Sequence, residues 1–310
     1  MRAKFWIALA TIALCAALPI LLFLYPHYLK VRETCEEGLK GAFRRLYESD
    51  PEFRASVDGL RKLALDPDVP YNRAKALKLF NTILRKLGLP ETSPIHFRYG
   101  KSVKEKAPGV PRKVTCAKPS TELRLRVLQP SPDVENGNGL KAVYVCGLQS
   151  LGGEVIEVTL VFSDEDKPPA GSLEDLWYDV WRLVTWGRLE DIETLYVVND
   201  GHRLRVEYRG LMLVLNGTLG LREIAPIGSG LKRFTEAAHV EDIEVASTTL
   251  LELYVNTWNH AIGLRDNNPD VEKVVFGPSG VDVRVGSRLD AENDYSDLVY
   301  VGEVPGSVPG

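Results

Sequence analysis

The chain has 310 residues, with 45% hydrophobic residues, 26% charged residues and a formal net charge of −4 at pH 7. These values exclude a disordered chain, a collagen-like fibre and a polytopic transporter, and the acidic balance gives no reason to expect nucleic-acid binding. Four cysteines are too few to build a scaffold held together by disulfides.

An apolar segment near the N-terminus predicts a membrane anchor, which makes residues 1–30 the first predicted domain. Residues 5–25 carry no charge, and only Thr11 and Pro19 interrupt the apolar run. As a helix this segment would rise about 31 Å, close to the ~30 Å hydrocarbon core of a bilayer. The run is longer than the core of a signal peptide, and no small-residue cleavage motif follows it. The sequence therefore favours an uncleaved single-pass anchor over a cleaved signal peptide or a buried core helix.

The orientation of this anchor depends on the positive charges that flank it. Arg2 and Lys4 precede the apolar run, and Lys30, Arg32 and Lys40 follow it. The two sides nearly balance, so the short basic N-terminus decides the prediction. We expect the N-terminus inside the cell and the C-terminal body outside it.

Residues 31–92 are predicted to form a helical stalk or subdomain. Apolar residues recur at helical spacing over 28–48, Phe53–Leu63 and Ala76–Leu87, and the last stretch stops at Gly88. The pattern predicts three short helices. They are interpreted either as ordinary helical packing or as a spacer or oligomerising coil.

The next predicted domain, residues 93–168, has the period-two pattern of an antiparallel β unit. Strands are expected at Leu123–Val127, Leu140–Cys146 and Val155–Phe162. The acidic, proline-containing stretch Ser163–Gly171 predicts a linker or a boundary between elements.

Residues 169–303 are predicted to form an α+β domain that contains a helix and a β-meander. Ser172 is expected to cap the helix, and Asp-Gly and Asn-Gly pairs predict the turns of the meander. A second helix is expected over 240–263, and residues 304–310 form a frayed tail. The overall expectation is an α+β fold: a transmembrane helix, a short helical segment, then antiparallel β units with packed helices. The individual strands are expected at Leu195–Val198, Leu204–Tyr208, Leu211–Leu215, Leu219–Ile224, Lys273–Phe276, Val281–Val285 and Leu298–Val301.

Cys116 and Cys146 could form a disulfide if the body lies outside the cell, closing a loop of about 30 residues. They could also be two small unpaired residues, and Cys35 is a third possible partner. There is no C-x-x-C motif, which argues against a redox dithiol or a zinc ribbon. Asn216 begins an Asn-Gly-Thr sequon, which predicts either glycosylation or only a hairpin turn.

Oxygen-bearing side chains at alternate positions predict a weak calcium site at Asp266, Asn268, Asp270 and Glu272. The EF-hand pattern fails here, because its turn glycine and its final glutamate are replaced. The alternative is a polar turn. No other cofactor is expected, and no set of histidines and cysteines has metal-ligand spacing.

The sequence contains no catalytic constellation, since it lacks a nucleophile elbow, a Walker A motif and a dinucleotide fingerprint. The leading hypothesis is a non-enzymatic envelope protein, anchored through residues 5–25, that presents a binding or assembly domain to a protein partner or a second copy. One alternative is a tethered hydrolase that uses His202 or His260 with Asp200 or Asp266. Another is a subunit of a sensor or a secretion system.

The rarity of thermolabile residues is a further compositional clue. Glutamine occurs only at 129 and 149, and methionine only at 1 and 212, beside abundant charged residues. This composition is compatible with a host that lives at high temperature.

Overall fold

A computed structural model of the protein describes residues 38–66, 68–101, 116–120, 123–150, 153–199, 204–207, 223–224, 234–235, 243–245, 250–277 and 280–296. Over these residues the protein is α+β, with six α-helices, two mixed sheets and a two-stranded ribbon. None of the helices in this part of the chain is long and apolar enough to cross a membrane. The predicted anchor, residues 5–25, lies outside the described residues.

The described residues form two compact units that meet in the sequence at Gly100 and Lys101, with residues 64–68 grouped with the second unit. The first unit contains three helices. These are α1 (Leu39–Ser49), α2 (Pro51–Leu65) and α3 (Arg73–Leu87).

Aromatic residues hold the helices of the first unit together. The rings of Phe43 and Phe53 meet edge to face with their centres 5.0 Å apart. Helix α3 ends at Gly88, which adopts the left-handed conformation that glycine tolerates best. The helices predicted around 53–63 and 76–87 are confirmed, and the helix predicted over 28–48 is seen as α1 from Leu39 onward.

The second unit contains twelve described strands, three described α-helices and a described π-helical segment, Val134–Asn138. The six-stranded sheet has the order β12-β2-β3-β4-β5-β8, the four-stranded sheet has the order β10-β9-β1-β11, and β6 pairs with β7. The strands are β1 (Arg124–Pro130), β2 (Leu140–Ser150), β3 (Gly153–Phe162), β4 (Asp191–Asn199), β5 (Leu204–Glu207), β6 (Glu223–Ile224), β7 (Phe234–Thr235), β8 (Ile243–Val245), β9 (Leu250–Val255), β10 (Ile262–Gly263), β11 (Lys273–Phe276) and β12 (Asp282–Val285). The helices are α4 (Ser131–Asp133), α5 (Leu173–Trp186) and α6 (Arg288–Tyr295).

The prediction of purely antiparallel sheets is wrong for two strand pairs. Strand β1 runs parallel to β9, with Val127 opposite Leu253. Strand β2 runs parallel to β12, with Tyr144 opposite Arg284. Alternating hydrophobicity shows which side of a strand is buried, but it carries no information about a partner far along the chain.

The helix predicted over 240–263 is also wrong. The described residues of this range form β8, β9 and β10 instead. In β9 the side chains of Leu251, Leu253 and Val255 are buried while those between them are not. This alternation has the period of a strand, and it outweighs the helical spacing of the other apolar residues.

The two sheets pack on a shared apolar core. Side chains from β1 and β9 of the four-stranded sheet meet side chains from β2, β3 and β4 of the six-stranded sheet. On the opposite face of the six-stranded sheet, Tyr144, Val161 and Ile192 pack with Ala291 of α6. The second unit is therefore a mixed β-sandwich with a helix on its outer face.

Helix α5 follows its sequence prediction closely. The hydroxyl of Ser172 accepts the backbone N–H of Asp175, and Gly187 ends the helix in the left-handed conformation. The Asp175 carboxylate accepts the backbone N–H groups of Lys167 and Gly171, so it ties the predicted linker 163–171 to the start of the helix. Across this connection β3 pairs with β4, so strands from residues 93–168 and 169–303 share one sheet.

Only part of the predicted meander lies among the described residues. Strands β4 and β5 are antiparallel neighbours, as predicted. The run Leu211–Leu215 and the last predicted strand, Leu298–Val301, lie outside the described residues, and Leu219–Ile224 is described only at β6.

Candidate functional site

An apolar cavity of about 600 Å³ lies between the two sheets of the second unit. We call it the inter-sheet cavity. Its walls include β11 and β12, which are the edge strands of their sheets, so the cavity lies along one edge of the sandwich. Its volume is within the range of about 300–1,000 Å³ that small-molecule sites occupy. The lining residues are Lys118, Pro119, Ser120, Leu123, Leu125, Val127, Leu140, Val143, Val145, Ile156, Phe276, Gly277, Val281, Val283, Arg284 and Val285.

The lining changes from buried to exposed along the cavity. Val143 and Ile156 are completely or almost completely buried. Val283 and Val285 on the edge strand β12 are 49% and 56% exposed, and Lys118 is also exposed. The cavity therefore joins an aliphatic interior to a rim that carries charge.

A disulfide holds one wall of the cavity in place. Cys116 and Cys146 are bonded, with their Cα atoms 5.0 Å apart, and the backbone N–H of Gly147 donates to the carbonyl of Ala117 over 2.8 Å. A Cβ atom at Gly147 would lie only 3.0 Å from the Cα of Pro119. Glycine at 147 thus permits the close approach that brings Lys118 to the rim.

A buried charged group, which we call the His260 cluster, lies where β3 ends and β4 begins. The imidazole of His260 is fully buried and stacks on the ring of Phe162, with the ring centres 4.0 Å apart. Its Nδ1 donates a hydrogen bond of 3.0 Å to Asp191, and its Nε2 lies 3.3 Å from a carboxylate oxygen of Asp133. A carboxylate beside each ring nitrogen favours the doubly protonated imidazolium.

Asp133 is held in the His260 cluster by two amide side chains. The Gln129 amide donates to Asp133 over 2.6 Å and to the carbonyl of Asn138 over 2.8 Å. The Asn138 amide donates to the other oxygen of Asp133 over 3.1 Å and to Asp166 over 3.0 Å. The end of β1 and the turn before β2 are thereby locked around one fully buried carboxylate.

A second charged group surrounds Arg182 on helix α5. This buried guanidinium donates to Asp164 over 2.9 Å and lies 3.6 Å from a carboxylate oxygen of Glu165. The Tyr178 hydroxyl donates to the other oxygen of Glu165 over 2.9 Å. The acidic segment after β3 is therefore fixed against the helix by one buried cation.

The two charged groups affect each other's ionisation. Burial alone lowers the pKa of His260, but the charge of Asp133 and the hydrogen bond to Asp191 outweigh it and raise the pKa to about 10. Burial together with repulsion from Asp191 raises the pKa of Glu165 to about 7 and that of Glu193 to about 8. A histidine with such a high pKa keeps its proton at neutral pH and is a poor general base. The cluster is therefore better suited to a structural role, as a buried ion pair within the fold, than to proton transfer.

The predicted calcium loop is organised around a lysine side chain. The Lys273 ammonium donates to the Asp266 carboxylate over 3.0 Å and to the carbonyls of Asn268 and Val271 over 2.6 and 2.9 Å. The Asn268 amide is also committed, because it donates to the carbonyl of Asn256. A divalent cation would have to displace this ammonium to reach the same oxygens. Over the described residues, no group of three or more His, Cys, Asp or Glu side chains could hold a metal ion.

The other predicted site residues are not brought together by the described structure. His260 lies beside Asp133 and Asp191 rather than beside Asp266. Asn216, His202, Asp200 and Cys35 lie outside the described residues.

Sequence reasoning missed the residues that surround His260 and Arg182. Asp133 stands in a stretch of sequence rich in turn formers, and such a stretch gives no sign that the Asp133 carboxylate is buried. Arg182 did give a usable signal, because it stands between Trp181 and Leu183 on an apolar helix. A cation at such a position indicates a buried anionic partner.

Fold and cavity together define an α+β protein with a helical unit and a mixed β-sandwich that contains a ligand-sized apolar cavity. Comparisons with protein-family models, with curated proteins and with solved structures found no match.

Proposed function

We propose that this chain is a single-pass, membrane-anchored envelope protein that binds a ligand in the inter-sheet cavity of its extracytoplasmic body. The observation that supports the binding role is the cavity itself, an aliphatic space of about 600 Å³ with an exposed rim. Apolar surface that faces empty space in a packed protein favours an apolar guest, because such a guest restores the contacts that the space lacks.

The membrane part of the proposal rests on the apolar residues 5–25 and their flanking charges. It places the ligand-binding body outside the cell and leaves a protein partner or a second copy as a further proposed contact. The absence of a catalytic motif in the sequence favours binding over turnover.

Protease accessibility tests the topology. We expect a protease added to intact cells to cleave residues 31–310, and to cleave them to the same extent after lysis. Protection in intact cells would place the body inside and contradict the proposed location.

Saturable binding of an apolar fluorescent dye tests the binding role. The full-length chain in lipid nanodiscs is compared with a Val143→Phe variant, which fills the buried part of the cavity, and with empty nanodiscs. Val275→Phe is the matched control, because Val275 is exposed and does not line the cavity. We expect Val143→Phe to lose the saturable signal and Val275→Phe to keep it. Equal signals from both variants would refute a ligand site in this cavity.

A further inference from the structure

The inter-sheet cavity has a polarity gradient that restricts what can occupy it. The buried part is formed by branched aliphatic side chains such as those of Val127, Val143 and Ile156. Among the described lining residues, Lys118, Ser120 and Arg284 carry polar side chains, and that of Arg284 contacts Tyr144 and Asp294 on the outer face of the six-stranded sheet. A ligand with hydrogen-bonding groups along its length would leave those groups unsatisfied inside, and each would cost free energy. This argues against a sugar, a nucleotide or a peptide as the buried portion.

The shape of the lining favours a chain over a flat ring. Phe276 is the aromatic residue among the described lining residues, so a planar ligand would find little to stack on. The cavity lies between two sheet faces and reaches the edge strand β12. An alkyl chain can follow such a space with its end among the aliphatic side chains.

The rim supplies a positive charge. Arg284 is already engaged, because its guanidinium contacts Asp282 at 2.6 Å and Asp294 at 3.0 Å. Lys118 is the second described cation of the lining, and the disulfide and the Gly147 contact hold its segment against β2. A head group with negative charge at the rim would meet this ammonium.

We propose that the cavity binds a single-chain anionic amphiphile, with the alkyl chain among the buried aliphatic residues and the head group beside Lys118. This inference rests on the proposed binding function and adds the chemical class of the ligand. A fatty acid is the simplest member of the class and is the probe used below. A membrane-anchored body would lie next to the lipid bilayer, where such amphiphiles are found.

Photolabelling of the full-length chain in lipid nanodiscs with a photoreactive long-chain fatty acid tests the site. We expect labelled peptides from β1, β2 and β12, with at least tenfold less labelling in Val143→Phe and no change in Val275→Phe. Val285→Trp is a second blocking variant, because Val285 is at the exposed rim and tolerates a larger side chain without repacking the core. Tryptophan fluorescence during urea unfolding shows whether each variant is folded.

Competition by unlabelled ligands tests the chemistry. Each added methylene, from octanoate through decanoate and dodecanoate to tetradecanoate, should tighten binding about fourfold, equivalent to about 0.8 kcal/mol per buried methylene. Lys118→Glu should weaken the carboxylates at least fivefold and leave alcohols of equal length unchanged.

The outcomes separate this inference from the proposed function. If the apolar dye binds in the cavity but the carboxylates show no dependence on chain length or on Lys118, the ligand class is wrong and the binding role stands. If neither probe is sensitive to Val143→Phe or Val285→Trp, both are wrong. If labelling requires removal of residues 297–310, the chain itself occupies the cavity, and the inference is overturned.

Discussion

The inter-sheet cavity and the His260 cluster belong to the same unit, but their side chains differ in what they face. In the cluster, the buried imidazole of His260 lies between the carboxylates of Asp133 and Asp191, so groups of opposite charge within the fold face one another. In the cavity, aliphatic side chains from the edge of the shared core line about 600 Å³ of space. The contrast shows that the residues with the most strongly shifted pKa values need not be the functional ones. Here the inter-sheet cavity is a better candidate for ligand binding than the His260 cluster.

Breaking the His260 cluster should produce the largest loss of stability. His260→Gln removes the cation that separates two buried carboxylates, and we expect it to lower the free energy of unfolding by about 3–5 kcal/mol. Urea unfolding followed by tryptophan fluorescence measures the change, because Trp177, Trp181, Trp186 and Trp258 all belong to the second unit. His96→Gln is the control, since His96 is exposed in the first unit. If both variants lowered the free energy of unfolding to a similar extent, the His260 cluster would not be a stabilising feature of the fold.

Removing the disulfide should have the next largest effect, and it should affect the cavity as well. Replacing both Cys116 and Cys146 with serine frees a loop closed over a sequence separation of 30 residues, and we expect a loss of about 3–4 kcal/mol. Binding of the apolar dye should weaken too, because the segment after Cys116 forms part of the cavity wall. Cys35→Ser is the control. An equal loss with that variant would indicate that Cys35 takes part in the pairing.

The pH dependence of stability should distinguish the cluster from the rest of the unit. The folded-state pKa of His260 is raised to about 10, so its stabilisation is fully present below its ordinary pKa of 6.5 and is lost as the pH rises towards 10. Glu165 and Glu193 act in the same direction, because their pKa values are raised to about 7 and about 8. The urea midpoint should therefore fall between pH 6.5 and 10, and it should fall less in His260→Gln. Equal slopes for the two proteins would contradict the high pKa.

Truncating one valine in each environment should give the smallest and most direct contrast. Val158 is fully buried in the packed part of the shared core, so Val158→Ala should cost about 2 kcal/mol. Val145 lines the cavity and is only partly buried, so Val145→Ala should cost less than about 1 kcal/mol. Urea midpoints of the two variants measure the difference. A cost for Val145→Ala as large as that for Val158→Ala would mean that the cavity is packed in solution.

Several elements of the fold could be predicted because their causes are local. Strand β11 was predicted with both of its ends, and α5 was predicted from its Ser172 cap. The antiparallel pairing of β4 with β5 agrees with the prediction from alternating hydrophobicity on either side of the Asp-Gly pair in the sequence. In each case neighbouring residues fix the backbone, so a short stretch of sequence contains the necessary information.

Neither the inter-sheet cavity nor the His260 cluster could be predicted, because none of their causes is local. His260 was singled out in the sequence, but its partners Asp133 and Asp191 come from distant parts of the chain. The helix predicted over 240–263 is wrong because the apolar spacing there fits both a helical and a strand period. Only the pairing of β9 with β1 in the sheet decides between the two.

The sequence by itself determined the α+β class, the three helices of the first unit, and helix ends such as the Ser172 cap and the stop at Gly88. The tertiary structure decided the parallel pairing of β1 with β9 and of β2 with β12, the partners of His260, and the space left between the sheets. The physical reason is that periodicity and capping act over a few residues, whereas strand partners, buried ion pairs and cavities depend on which distant surfaces meet. The strand patterns indicate which faces turn inward, but the cavity forms only where those faces meet in the assembled sandwich.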